Sequence, residues 1–291
     1  MYAMYMSNNL GRRDGKPGAE DLSGRVQIPF FLGTGDKIDC CKCGENTHHI
    51  FTLHVGGTVE GEQMAFPATQ RIGILVFDGF EPIDVFGFVE AFTIARFLGT
   101  KYASPPPYPF ETVLIASDIA NVRSANGPQV APDWDFAKAL AQPLDLLMVP
   151  GGRGTWTLLD ETSHPRLVSM FLDWMRAMDK KVRIMASVCT GAAVLAKCGF
   201  LDGLPAATNH SAFGWVVEHG PRVLWDSVAR WVDAGKYVTS AGVSAGTDLG
   251  FYLVSRLAGR AVAEAAVAAA EYDWHRDPQA AIAYAQSASL P

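Results

Sequence analysis

Val182-Arg-Ile-Met-Ala-Ser-Val-Cys189-Thr-Gly-Ala-Ala-Val-Leu-Ala-Lys197 drives an apolar strand straight into a cysteine and the cysteine straight into a helix. So abrupt a junction is the layout of a nucleophile elbow. The side chain at the turn is held off the sheet, and the N–H groups opening the helix face whatever charge develops there. Gly191 supplies the small residue that the turn requires. A thiol at this position feels the positive end of the helix dipole, so the expectation is a lowered pKa and a larger thiolate fraction. Cys189 is therefore the candidate nucleophile. The competing reading is a buried cysteine packing as a small hydrophobe.

On either side of the elbow, short apolar strands alternate with helical stretches. Ile72-Gly-Ile-Leu-Val-Phe77, Thr112-Val-Leu-Ile-Ala116, Asp145-Leu-Leu-Met-Val149 and Lys236-Tyr-Val-Thr-Ser240 read as strands. Ile83 to Leu98, Leu167 to Met178, Ala245 to Leu257 and the Ala-rich Arg260 to Tyr272 read as helices. Near-continuous apolar strands are those buried on both faces, which predicts an α/β fold whose mostly parallel sheet is covered by helices on both sides. Ligands of such sheets bind outside the carboxyl ends of the strands, where Cys189 falls. The last helix is expected to pack on the sheet or on a partner subunit.

Other groups converge on the same rim. Val149-Pro-Gly-Gly-Arg-Gly154 ends a strand in glycines, so Gly151 and Gly152 let the backbone approach a ligand and could complete an oxyanion hole with the Thr190 N–H. A tight strand-to-helix connection would use the same residues. Asp84 follows the first strand and could hold the thiol or shuttle a proton, or it could simply cap the helix that begins there. Glu81 and Glu90 compete for the acid role. His210 is a further possible base, although a lone histidine is more often structural. No histidine adjoins Cys189, which speaks against a peptidase built on an adjacent Cys-His pair.

The 291 residues are 49% hydrophobic and 19% charged, with a net charge of −6. No apolar run reaches the roughly 20 residues of a membrane span. Mild acidity without a Lys/Arg block argues against nucleic acid as the main partner. Five cysteines, a small and odd number, argue against a disulfide framework and for a reducing cytoplasm. Residues 1–69 lack periodicity and read as a poorly ordered extension before a single domain over residues 70–291. Met64, just ahead of the first strand, is a candidate natural start. Cys40, Cys41, Cys43, His48 and His49 cluster in the extension, but their spacing gives only half a zinc site, so no metal is expected.

Taken together these stretches resemble the ThiJ/PfpI superfamily, with its class I glutamine amidotransferase-like, flavodoxin-like three-layer sandwich. The carriers are Ile72 to Asp84, Asp145 to Gly152, Ala186-Ser-Val-Cys-Thr-Gly-Ala192, Thr239-Ser-Ala-Gly-Val-Ser-Ala-Gly246 with Asp248, and Glu271-Tyr-Asp273. The last two of these, together with Cys189-Thr190 and Asp84, look specifically like the branch holding isonitrile hydratases and the sensor domains of AraC-type regulators. That resemblance implies a homodimeric, cysteine-dependent enzyme acting on a small molecule, without metal or organic cofactor. Cys189 would be the nucleophile, Asp84 the acid, and Thr190 a neighbour that positions substrate. Gly87-Phe88 stands where the family has Gly-Pro, which points to a different pocket wall. The regulators carry a DNA-binding domain after the sensor domain, for which the residues beyond Tyr272 leave no room. A redox-sensing or non-catalytic protein, and a glyoxalase or deglycase, are the alternatives that the resemblance implies.

Overall fold

Apolar strands joined by helices can bury both faces of a sheet only by layering helices above and below it. The computed structural model has this arrangement and describes residues 66–99 and 108–282. The first half runs β1 (Gln70–Leu75), α1 (Pro82–Thr93), β2 (Phe110–Ala116), β3 (Val122–Arg123), β4 (Gln129–Val130), β5 (Trp134–Asp135), α2 (Phe136–Ala141), β6 (Leu146–Val149) and α3 (Gly154–Leu158). Then follow α4 (Pro165–Asp179), β7 (Ile184–Ser187), α5 (Gly191–Lys197), β8 (Pro205–Ala207), α6 (Phe213–Glu218) and β9 (Leu224–Asp226). The last elements are β10 (Trp231–Ala234), β11 (Tyr237–Ser240), α7 (Ser244–Ala258) and α8 (Arg260–Ala269).

The main sheet has the order β10-β11-β7-β6-β1-β2-β5, and every neighbouring pair is parallel except β10–β11 at the edge. From β1 the chain moves outward to β2 and β5, then crosses back to β6 and continues the other way. The connections therefore diverge between β1 and β6, and this divergence opens a crevice at the carboxyl ends of the strands. Alternate strand residues serve opposite layers. Ile72, Ile74, Leu146 and Met148 pack with α1, α7 and α8. Leu75, Leu147, Val149 and Met185 pack with α2, α4 and α5.

Helix boundaries follow local chemistry. Pro82 and Pro165 open α1 and α4, where a missing N–H costs nothing. The predicted helix from Ile83 to Leu98 stops at Thr93, because the Arg96 guanidinium folds back onto the carbonyl oxygens of Thr93 and Ala95. The helix from Arg260 ends at Ala269 rather than Tyr272: Glu271 takes a left-handed conformation, φ 49°, and the Tyr272 N–H donates to the Val267 carbonyl at 3.2 Å. This helix packs into the core beside α7 through Val262, Ala263, Ala266 and Val267. The edge strand β10 was not foreseen, although Gly235, at φ 85° in the two-residue turn between β10 and β11, is a hairpin signal. The extension, Met64 and the Cys40–His49 cluster lie outside the described residues.

Behind the sheet, Asp248 on α7 is fully buried and gathers the end of the chain. Its Oδ2 accepts from Arg230 Nε at 3.1 Å and Nη2 at 2.6 Å, and its Oδ1 accepts from the Tyr272 hydroxyl and the His275 N–H, both at 3.1 Å. Breaking a buried pair leaves one charge uncompensated. Arg230→Met is expected to lower the free energy of unfolding by about 3–5 kcal/mol in urea denaturation. An unchanged midpoint would remove the Arg230–Asp248 pair from any role in stability.

Candidate active site

A cysteine between a strand and a helix must turn the chain within one residue. Cys189 does so in the left-handed region, φ 58°, which costs a non-glycine residue on the order of 1–3 kcal/mol. Hydrogen bonds on both sides hold it there. The Cys189 N–H donates to the Ala241 carbonyl at 3.1 Å, Thr208 Oγ1 donates to the Cys189 carbonyl at 2.9 Å, and the Val188 N–H donates to Val149 at 3.0 Å.

Asp84 sits in the first turn of α1, fully buried, and caps nothing. The Gly151 N–H donates to its Oδ2 at 2.9 Å, while Oδ1 has no hydrogen bond of good geometry. The Cys189 thiol lies beside this carboxyl group, near enough for each to act on the other's ionisation. Gly151 is obligatory at this spot: a Cβ there would stand 2.5 Å from the Thr190 nitrogen and 2.8 Å from the Cys189 Cβ. Gly152, at φ 117°, donates its N–H to Thr190 Oγ1 at 3.1 Å, and the Thr155 and Thr190 hydroxyls meet at 2.9 Å. The two glycine N–H groups are thus already engaged, by Asp84 and by Thr190. They hold the loop in place and do not point at an open oxyanion position, as had been expected.

The remaining candidates separate clearly. Glu81 precedes α1, its N–H bound to the Gly151 carbonyl at 2.9 Å, and its carboxylate acts on both Asp84 and Cys189. Glu90 is exposed. His210 turns toward the Ala229 carbonyl and Asp226, its pKa lowered by burial, and forms no part of the cleft over Cys189. The neighbouring Asn209 takes that place instead: it lines the cleft with Cys189, and its side-chain amide is near enough to the sulfur to favour the thiolate. Its own Oδ1 is fixed by the Ala212 N–H at 2.9 Å. Sequence reasoning chose the more familiar base and missed the amide one residue earlier. Phe88 is wholly buried against Phe92, so the departure from Gly-Pro alters the core and not the cleft wall.

Electrostatics reverses the expectation for the thiol. Burial pushes the Cys189 pKa up and the Asp84 carboxyl pushes it further, outweighing the Thr190 N–H and Asn209, which favour the thiolate. The helix that follows has only seven residues, and its dipole does not decide the balance. Burial likewise raises Asp84, from 3.8 to about 7, against the opposing Gly151 hydrogen bond. At neutral pH the pair is a thiol beside a carboxyl group poised to give or take a proton.

Above the sulfur opens a cleft of about 540 Å³, with Thr190 and Asn209 at its base and Arg153, Trp156 and Trp215 on its walls. No group of three or more His, Cys, Asp or Glu side chains among the described residues is placed to hold a metal ion. No described helix is long and apolar enough to cross a membrane.

A parallel α/β sandwich presenting a buried cysteine on a strained elbow, with a carboxyl group beneath it, defines the class. The chain belongs to the DJ-1/PfpI family, whose model matches residues 70–256. It is 29% identical over 189 residues to an isonitrile hydratase of Pseudomonas putida, covering 65% of this chain and 72% of that protein. It is also 27% identical over 196 residues to the HTH-type transcriptional regulator GbdR of Pseudomonas aeruginosa, covering 67% of this chain but only 49% of the regulator. Among solved structures, a ThiJ/PfpI family protein from Pseudomonas syringae superposes with a TM-score of 0.59 at 24% identity, over 73% of this chain and 84% of that one. Drosophila melanogaster DJ-1beta gives 0.58 at 18% identity, over 71% of this chain and the whole of that one.

Two substitutions test the thiol's surroundings in opposite directions. Asp84→Asn removes a group that opposes ionisation, so alkylation of Cys189 by iodoacetamide should set in at lower pH; Asn209→Ala should move the onset higher. No movement in either variant would detach both residues from the sulfur. Asp84 also links stability to pH. Below pH about 4 both folded and unfolded chains hold its proton, and its full contribution is present. As pH rises to about 7 the unfolded chain ionises first, so stability falls by up to about 4 kcal/mol. Asp84→Asn should abolish that decline in denaturation curves recorded across pH 4 to 8.

Proposed function

We propose that this protein is a cysteine-dependent hydratase that converts a small isonitrile and water into an N-substituted formamide. The observation that carries the reading is the buried Asp84 carboxyl beside the Cys189 thiol at the elbow. The likeness to the Pseudomonas putida isonitrile hydratase supports it. An isonitrile carbon accepts a nucleophile and then a proton, so it needs the two groups that are paired here.

Asp84 takes the thiol proton as the sulfur forms a bond to the isonitrile carbon. The same proton then passes from Asp84 to that carbon, giving the thioimidate R–N=CH–S-Cys. Water adds to this carbon and the C–S bond breaks. One proton of the water ends on nitrogen and the other returns to sulfur, releasing R–NH–CHO and the free thiol. Thr190, at the base of the cleft, turns its N–H toward the sulfur and would hold it during both steps. Gly151 and Gly152 keep the loop closed around the pair. The protein would work as a homodimer in the cytoplasm, with no cofactor.

A second reading rests on the likeness to the HTH-type regulators: the cleft binds a small molecule and does not turn it over. Purified protein is expected to form N-cyclohexylformamide from cyclohexyl isocyanide. Cys189→Ala should form none above the uncatalysed rate, and Asp84→Asn should lose about 10²–10⁴-fold in kcat. Absence of product from the unaltered, folded protein with Cys189 in its reduced form would overturn the hydratase and favour the binding protein.

A further inference from the structure

Among the described residues lining the cleft over Cys189, Arg153 alone carries a charge. Its side chain is exposed, and among the described residues nothing pairs with its guanidinium. Beside it Trp156 stacks on Trp215 with ring centroids 4.2 Å apart, and Trp215 meets His219 edge-on at 4.5 Å. The stack is closed on the Trp215 side, while Trp156 stays 43% exposed. A large aromatic surface left to water next to a reactive thiol gains free energy when an apolar ring covers it. An unpaired guanidinium at the same place gains most from a planar anion that it can grip with two N–H groups.

Chain geometry brings these groups within the reach of one small molecule. Gly151 lies against Cys189, and Arg153 is two residues further on, a span of at most about 7 Å. We infer that the cleft takes a substrate with a ring-shaped apolar body lying on Trp156 and a carboxylate held by Arg153, its reactive carbon at Cys189. A singly charged carboxylate suits the site better than a phosphate. Among the described residues no second cation lines the cleft, and Glu81 and Asp84 near the sulfur oppose a doubly charged anion. The inference rests on the hydratase reading only in placing the reacting carbon; recognition of the acid stands apart from turnover.

The test compares 4-isocyanobenzoate with its methyl ester. The acid should be preferred in kcat/KM by about tenfold or more, through KM, and Arg153→Gln should bring the ratio to about one. In Cys189→Ala, ligand-detected NMR titration should show benzoate binding more tightly than methyl benzoate. That preference should vanish with Arg153→Gln, and affinity for both should weaken with Trp156→Ala. Equal binding of acid and ester, or a preference that survives Arg153→Gln, would overturn the inference. Selective benzoate binding without turnover of either isonitrile would sink the hydratase and leave the carboxylate site standing.

Discussion

The hydrogen bond from the Gly151 N–H to Asp84 Oδ2, 2.9 Å long, is the interaction on which the site depends. It joins the loop after β6 to the first turn of the helix after β1, the two strands between which the connections of the sheet diverge. Because Gly151 has no side chain, that loop closes until it touches Cys189 and Thr190. Closure in turn places Gly152 to bond Thr190, and Thr190 to meet Thr155. A buried carboxyl group is tolerable only with such a partner, so the loop stabilises the acid and the acid fixes the loop.

Burial then sets the chemistry. A thiol at a helix start is commonly expected to ionise easily, yet this one is almost enclosed and has a carboxyl group for a neighbour. Desolvation outweighs the few N–H dipoles that favour the thiolate. The resulting pair suits a reaction in which nucleophile and proton arrive at the same carbon, since the proton removed from sulfur is needed again at once. A substrate that required a free thiolate at rest would be poorly served here.

The cleft is electrically asymmetric. Carboxyl groups act on the sulfur from one side, a guanidinium without a partner among the described residues stands on the wall, and a tryptophan face lies beside it. Far from the cleft, Asp248 draws Arg230, Tyr272 and His275 together and so fastens the chain after α8 to α7. The Asp248 and Glu271-Tyr-Asp273 stretches, distant in sequence, meet there for a structural reason and not a catalytic one.

The alternation of apolar strands with helices, the parallel sheet and the elbow at Cys189 were legible in the sequence. Burial on both faces forces continuous apolar runs, and a strand turning directly into a helix leaves only one residue at the corner. Asp84 and the glycine loop could be placed on the same rim because both follow parallel strands. Which neighbour reaches the sulfur was decided by the tertiary structure: the chain leaving β8 turns Asn209 inward and His210 toward Ala229. Tertiary structure also decided the partners of the glycine N–H groups, the early end of α1 at Thr93, and the direction in which the thiol shifts. Each of these depends on groups far apart in the chain meeting in a space from which water is excluded, and spacing along the sequence carries no measure of that.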